Sequence, residues 1–181
     1  MEQPKSNSQR PNRHKDASLH NRERRSLVTI RNATAEDLVS VFKIEHDAPA
    51  AAHWKHSEYE KALNDPERLF LVAAEESDQQ VIGFLVAWTG TDEWELENIV
   101  VSETARRRGI GRALMRALIE QALHRGAAEI RQELRASNTA AQSLGRSVGF
   151  FPEGRRKGYY SQPAEDALLF KYLFAGHRIQ I

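Results

Sequence analysis

The sequence predicts an α+β (mixed α/β) fold, on three observations. Three runs rich in β-branched and aromatic residues follow one another with short connections: "RLFLVAAEE", "QVIGFLVAWTG" and "EWELENIVVS". Such spacing reads as a meander of antiparallel strands. A strongly amphipathic helix then runs from Gly109 to Arg125, with apolar residues at helical spacing. Beyond it, strand and helix patterns alternate again in "EIRQELRAS", "NTAAQSLGRSVG" and "DALLFKYLF".

Each earlier element has its own local reason. "LVTIRNAT" is a short strand with Val28 and Ile30 on one face, as the two-residue strand period requires. "TAEDLVSVFKIEHDA" opens with the capping signature Thr34-x-x-Asp37 and places Leu38, Val41, Phe42 and Glu45 at helical spacing. "HSEYEKALND" is a second helix, stopped by Asn64-Asp65-Pro66. The expected order is therefore β-α-α-β-β-β-α-β-α-β, with no internal repeat.

Residues 1–26 have a different composition. They carry seven Lys/Arg against three Asp/Glu and almost no large apolar side chain, too little burial to offset the entropy of ordering. A disordered basic tail over 1–26 and one domain over 27–181 are expected, since 181 residues suit a single substantial domain. The net charge is only +1, so the molecule as a whole does not read as a nucleic-acid binder. RNA contact by the tail is the alternative there. The absence of cysteine excludes disulfides, thiolate metal sites and a cysteine nucleophile. No apolar run approaches the roughly 20 residues of a membrane span, and the N-terminus lacks a secretory pattern. A soluble, cytoplasmic, monomeric protein with no membrane or nucleic-acid partner is expected.

The stretch "ETARRRGIGRALMRAL" runs three arginines into Gly109-Ile110-Gly111 at the start of a helix. It lacks the G-x-x-x-x-G-K-[ST] of a Walker loop. Leu114 breaks the G-x-G-x-x-G of a dinucleotide fingerprint. What remains is strand, Arg-x-x-Gly-x-Gly, helix. Unpaired N–H groups at a helix N-terminus suit a phosphate, and glycines let it approach closely. The bland reading is a solvated arginine run with incidental turn glycines.

Taken with "LRASNTAA", the "GF" after the next helix and "RKGYYSQPAEDA", this pattern resembles the GNAT superfamily of acetyl-coenzyme A-dependent N-acetyltransferases. Within it, the pattern is most similar to the RimI-type ribosomal-protein-alanine N-acetyltransferase branch. The resemblance covers roughly residues 28–173. It implies a central, mostly antiparallel sheet with a V-shaped splay, flanked by helices. It also implies acetyl-CoA as co-substrate, without a metal, and a protein N-terminus as acceptor, the N-terminal alanine of a small-subunit ribosomal protein. Arg107, Arg108, Gly109, Ile110, Gly111 and Arg112 would hold the coenzyme pyrophosphate through backbone amides. Ile99, Val100 and Val101 would lie along its pantetheine arm. Asn138 stands at the cofactor-contacting asparagine, and is equally a helix N-cap; both roles can coexist.

An amine attacks a thioester only as the neutral base, and an α-amino group, with a pKa of about 8, gives up its proton at modest cost. By resemblance Glu133 takes that proton; the alternative is a strand carboxylate paired with Arg131 or Arg135. Glu95 and Glu97, read as sharing a strand face with Ile99 and Val101, are rival bases or a solvated row. At position 145 the family pattern has a tyrosine that protonates the departing thiolate, whereas this sequence has glycine. Tyr159, Tyr160 or a water could replace it, or the tyrosine pair could serve packing. Trp54 either walls the acceptor groove or pins its loop to the core. His53 and His56 have no third ligand at metal spacing. The other functional readings are a small-molecule or lysine amine as acceptor, and a non-catalytic acetyl-CoA-binding module.

Removing residues 1–26 is expected to leave the thermal midpoint and the acyl-transfer rate unchanged. An RNA affinity that weakens with salt and vanishes with the tail, read by titration, would mark the RNA alternative instead.

Overall fold

The computed structural model describes residues 27–48 and 53–175. The tail expected over 1–26, and residues 49–52 of the loop before Trp54, lie outside the described residues.

Seven strands form one sheet in the order β1-β2-β3-β4-β5-β7-β6. Strands β1 (Val28–Asn32), β2 (Arg68–Glu75), β3 (Val81–Thr89) and β4 (Glu93–Val101) are an antiparallel meander. Helices α1 (Leu38–His46) and α2 (His56–Asn64) connect β1 to β2. Helix α3 (Ile110–His124) carries the chain across to β5 (Glu129–Arg135), which pairs parallel to β4. A parallel neighbour cannot be reached by a tight turn, and this crossover helix supplies the length. Helix α4 (Thr139–Ser147) follows, and the hairpin β6 (Phe151–Ser161) and β7 (Ala164–Leu173) completes the sheet. This is the α+β fold with a mostly antiparallel sheet that the sequence predicts.

The helices cover both faces. Along β2, Leu69, Leu71 and Ala73 enter the core beneath α3, while Phe70 and Val72 enter the one beneath α1 and α2. That two-sided burial explains the unbroken apolar runs of β2 and β3, since neither face needs polar residues. At the front of α1 the chain first makes one 3-10 turn, Ala35–Asp37. Asp37 accepts the Thr34 N–H at 2.7 Å and both terminal nitrogens of Arg31 at 2.7 and 2.8 Å. The capping signature is thus also an ion pair to β1.

One strand departs from the sequence reading. β6 precedes the expected last strand, and all but one of its residues are exposed. "PEGRRKGYYS" has two glycines, a proline and little apolar character, so no local preference marks it as a strand. Its extended form comes from pairing with β7, a contact that the residues of β6 do not encode alone.

The Arg31 guanidinium holds the Asp37 carboxyl below its usual 3.8, against the opposing effect of burial. A lowered folded value stabilises the protein above the usual pKa, and that contribution is lost as pH falls through the lowered one. Asp37→Asn is expected to cost about 1–2 kcal/mol at neutral pH, the range for a charge-assisted hydrogen bond partly screened by solvent. The deficit should shrink below pH 3.8, as measured by urea denaturation across pH.

Candidate active site

β4 and β5 pair over only four residues, Glu93–Leu96 against Glu129–Gln132. Past that point β4 stays on β3 and β5 stays on β7, so the two strands part. The break coincides with a β-bulge. Val86 faces Asn98 and Ala87 faces Leu96, which leaves Glu97 as the extra residue. A bulge bends its strand and increases the local twist. It also shifts the phase of the side chains: Trp94 and Leu96 belong to the α3-side core, but beyond Glu97 it is Ile99 and Val101 that pack there. Glu95 therefore does not share a face with Ile99 and Val101, as the sequence reading held, because the extra residue reverses the alternation.

Three interactions hold the bulge in place. Arg68 clamps Glu97 with two bonds, Nε to Oε2 at 2.8 Å and Nη2 to Oε1 at 3.0 Å. Buried Asn98 donates through Nδ2 to Glu45 Oε1 at 3.1 Å and to the Tyr59 hydroxyl at 2.9 Å. Glu45 also accepts the Trp54 N–H at 3.1 Å. Burial, followed by the Glu45 carboxylate, raises the Tyr59 phenol far above its ordinary value and keeps it protonated. Neither Asn98 nor Tyr59 stands out in the sequence, where each reads as an ordinary strand or helix residue. The only signal is Glu45, a carboxylate on the apolar stripe of α1. Trp54 lies 5.3 Å from the Tyr59 ring and packs against the core beneath α1 and α2.

Between the parted strands opens a cavity of about 790 Å³. Leu96, Glu97, Asn98 and Ile99 line one wall, and Gln132, Glu133, Leu134 and Arg135 the other. The start of α4 and the end of the β6–β7 hairpin close it. Arg135 ties that hairpin down: it donates to the carbonyls of Gln162 at 3.1 Å and Pro163 at 3.3 Å, and lies 4.0 Å above the Tyr160 ring. Of the three pantetheine-arm candidates, Ile99 faces this cavity. Val100 points into the opposite core, leaving only its backbone to a ligand. Val101 borders a second cavity of about 680 Å³ together with Lys43, Arg106 and Arg108.

The arginine-glycine turn is built for close approach. Arg107 and Gly109 both take positive φ, +62° and +87°; at Gly109 that conformation costs nothing. No side chain caps the N-terminus of α3, so the first N–H groups of Ile110, Gly111 and Arg112 have no intrahelical partner. A Cβ at Gly111 would come within 3.1 Å of Leu144 Cδ2, so glycine there lets α3 approach α4. Arg107 and Arg112 are exposed. Arg108 is tied by an ion pair to Glu75 at 2.8 Å, so its guanidinium is committed within the protein. Asn138 Oδ1 accepts the Ala141 N–H at 3.0 Å and caps α4 at the edge of the cavity.

Glu133 is half-buried in the cavity wall, with Oε1 2.6 Å from Arg156 on β6. Its partner is therefore neither Arg131, which pairs with Glu93 and Glu129, nor Arg135, which pairs with Glu165. The unrecognised β6 supplies the difference. Glu95 is accessible, yet its carboxyl is pushed up, first by partial desolvation and then by Glu133, Glu97 and Glu93, with Arg156 opposing. Burial and the Glu133 charge also raise the Tyr160 phenol. Tyr159 is half exposed, stacked edge-on against Tyr160. His56 stacks on Phe42 at 3.8 Å. Among the described residues no cluster of three or more His, Asp or Glu could hold a metal ion, and no helix is long and apolar enough to cross a membrane.

Raising a carboxyl's folded pKa disfavours its charged form, so Glu95 weakens the fold as pH rises through its folded value. Glu95→Gln is expected to raise the denaturation midpoint at neutral pH and to leave it unchanged below 4.5, in parallel urea titrations.

Known proteins resemble this chain in sequence and fold. The Acetyltransferase (GNAT) family matches residues 29–150. The [ribosomal protein bS18]-alanine N-acetyltransferase of Escherichia coli K12 is 35% identical over 145 residues, 79% of this chain and 95% of that protein. The crystal structure of the ribosomal-protein-S18-alanine N-acetyltransferase from Escherichia coli superposes with a TM-score of 0.73 at 28% identity, covering 86% of this chain and all of that one. Arabidopsis thaliana NAA60 in complex with acetyl-CoA has the same fold, with a TM-score of 0.74 at 19% identity over 83% of this chain and all of that one. The parted β4–β5 pair, the uncapped glycine turn and these matches lead to one assignment: the chain belongs to the GNAT family of N-acetyltransferases.

Proposed function

We propose that the protein moves the acetyl group of acetyl-CoA to the N-terminal α-amine of a protein, the terminal alanine of ribosomal protein bS18, in the cytoplasm. The observation that carries the reading is the cavity at the β4–β5 split, which has a carboxylate, Glu133, in one wall and an unpaired strand edge in the other. The 35% identity to an enzyme named for that acceptor selects the substrate.

The residues present fit an acyl-coenzyme A. Backbone amides at the front of α3 suit its pyrophosphate, with Arg107 and Arg112 adding positive charge. The edge of β4 from Ile99 to Val101 offers N–H and C=O groups that an amide-bearing arm can pair as a strand would. Asn138 combines its cap with a place beside the arm. In the cavity wall Glu97 and Glu133 supply negative charge for an incoming ammonium, with Glu97 held back by Arg68. Glu133 takes one proton from that ammonium, and the ion pair with Arg156 orients its carboxylate. The free amine then attacks the thioester. Residues 1–26 take no part in the reaction.

The test is coenzyme A release with acetyl-CoA and a short peptide carrying the Ala terminus of bS18. Glu133→Gln is expected to lower kcat about 100-fold, the scale of one general base, while KM for acetyl-CoA stays the same. Equal rates on a free lysine or a small amine would point instead to another acceptor, and an unchanged kcat would remove Glu133 from its role.

A further inference from the structure

Glu45 is a carboxylate on the apolar stripe of α1, and only 4% of it is exposed. Burying such a charge is costly unless its neighbours satisfy it. Both groups that hydrogen-bond it here are neutral donors, Asn98 Nδ2 and the Trp54 N–H, each 3.1 Å from Oε1. A buried charged group is seldom the most stabilising choice for its site, so this one calls for a further reason.

Its two partners supply that reason. Asn98 belongs to the β4 wall of the cavity, one residue past the Glu97 bulge. Trp54 follows His53, which lines the same cavity from the chain between α1 and α2. One carboxylate oxygen therefore joins the β4 wall to the corner at His53. His53 has φ +55°, a left-handed conformation that a residue with a Cβ keeps only where its surroundings hold it. The Tyr59 hydroxyl accepts the same Asn98 amide at 2.9 Å, and the Tyr59 ring packs against that of Trp54. The network thus links α1, α2, β4 and the corner.

We infer that Glu45 is a positioning residue for the acceptor: by holding the His53–Trp54 corner to β4, it fixes the mouth of the cavity beside Glu97, where the peptide terminus enters. The inference rests on the acetyl-transfer reading above. Glu45 is not among the residues that line the cavity, so it acts through His53 and Asn98. The turn proposed for the pyrophosphate leads into α3 on one side of the sheet, whereas Tyr59 and Trp54 belong to the core on the other. Loss of the network should therefore loosen the peptide and leave acetyl-CoA in place.

Three full-length variants test the inference. KM for the Ala-terminal bS18 peptide, KM for acetyl-CoA and the thermal midpoint are read for each. Glu45→Gln retains an oxygen that can accept both bonds, and should keep the peptide KM close to wild type. Glu45→Leu loses both bonds. It is expected to raise the peptide KM about 10-fold, the scale of one charge-assisted hydrogen bond, with KM for acetyl-CoA unchanged. His53→Gly does not threaten the fold, because glycine takes a positive φ without cost. It is expected to raise the peptide KM by a similar factor at an unchanged midpoint. A His53→Gly variant with the wild-type peptide KM overturns the inference alone. So does a Glu45→Leu variant whose KM for acetyl-CoA rises as much as that for the peptide. Lower melting and lower kcat with both KM values intact would mark a merely structural Glu45, and overturn it equally. Should Glu45→Leu not fold, His53→Gly decides. A wild type that binds acetyl-CoA but acetylates no amine overturns the transfer reading and this inference together.

Discussion

Everything at the cavity depends on one pairing that stops. β4 and β5 are hydrogen-bonded for four residues and then diverge at the Glu97 bulge. Strand edges do not normally part inside a sheet, because each leaves N–H and C=O groups without partners. Here the outer ladders take over: β3 continues to hold β4, and β7 continues to hold β5. The inner edges are left without a strand partner past Leu96 and Gln132. Asn98, Glu45 and Tyr59 fix the position of the split from the α1–α2 side, and Arg68 fixes it from β2. The two helices between β1 and β2 therefore set the shape of a cavity that β4 and β5 line.

Charge divides the site along its length. Backbone amides and arginines surround the α3 turn, while Glu97 and Glu133 line the split and act electrostatically on Glu95. Opposite fields at the two ends suit one substrate carrying phosphates and another carrying an ammonium. Partial desolvation and then mutual repulsion raise the proton affinity of Glu95, and the two ion pairs, Arg68 with Glu97 and Arg156 with Glu133, limit how much repulsion the fold must bear. The salt bridges here spread unlike charges across the cavity wall, and being part-exposed they add little stability.

Much of this was legible in the sequence. The meander, the long helix and the glycine turn rest on local composition or short motifs, and each stands where those patterns put it. The orientation of Glu95 was misread, because a bulge is a property of two paired strands and leaves no mark in one. The partner of Glu133 was misread for a related reason: Arg156 comes from β6, a strand that its own glycines and charges argue against.

The sequence by itself determined every element but β6, the glycine turn and the family, since these are set by periodicity, backbone freedom at glycine and motifs of a few residues. Only the tertiary structure decided where β4 leaves β5, which carboxylates are clamped and which stays accessible, and that Glu45 joins Asn98 to Trp54. Those features depend on residues brought together from distant parts of the chain, such as Asn98 with Glu45. Their register is set by long-range packing, which no local pattern records.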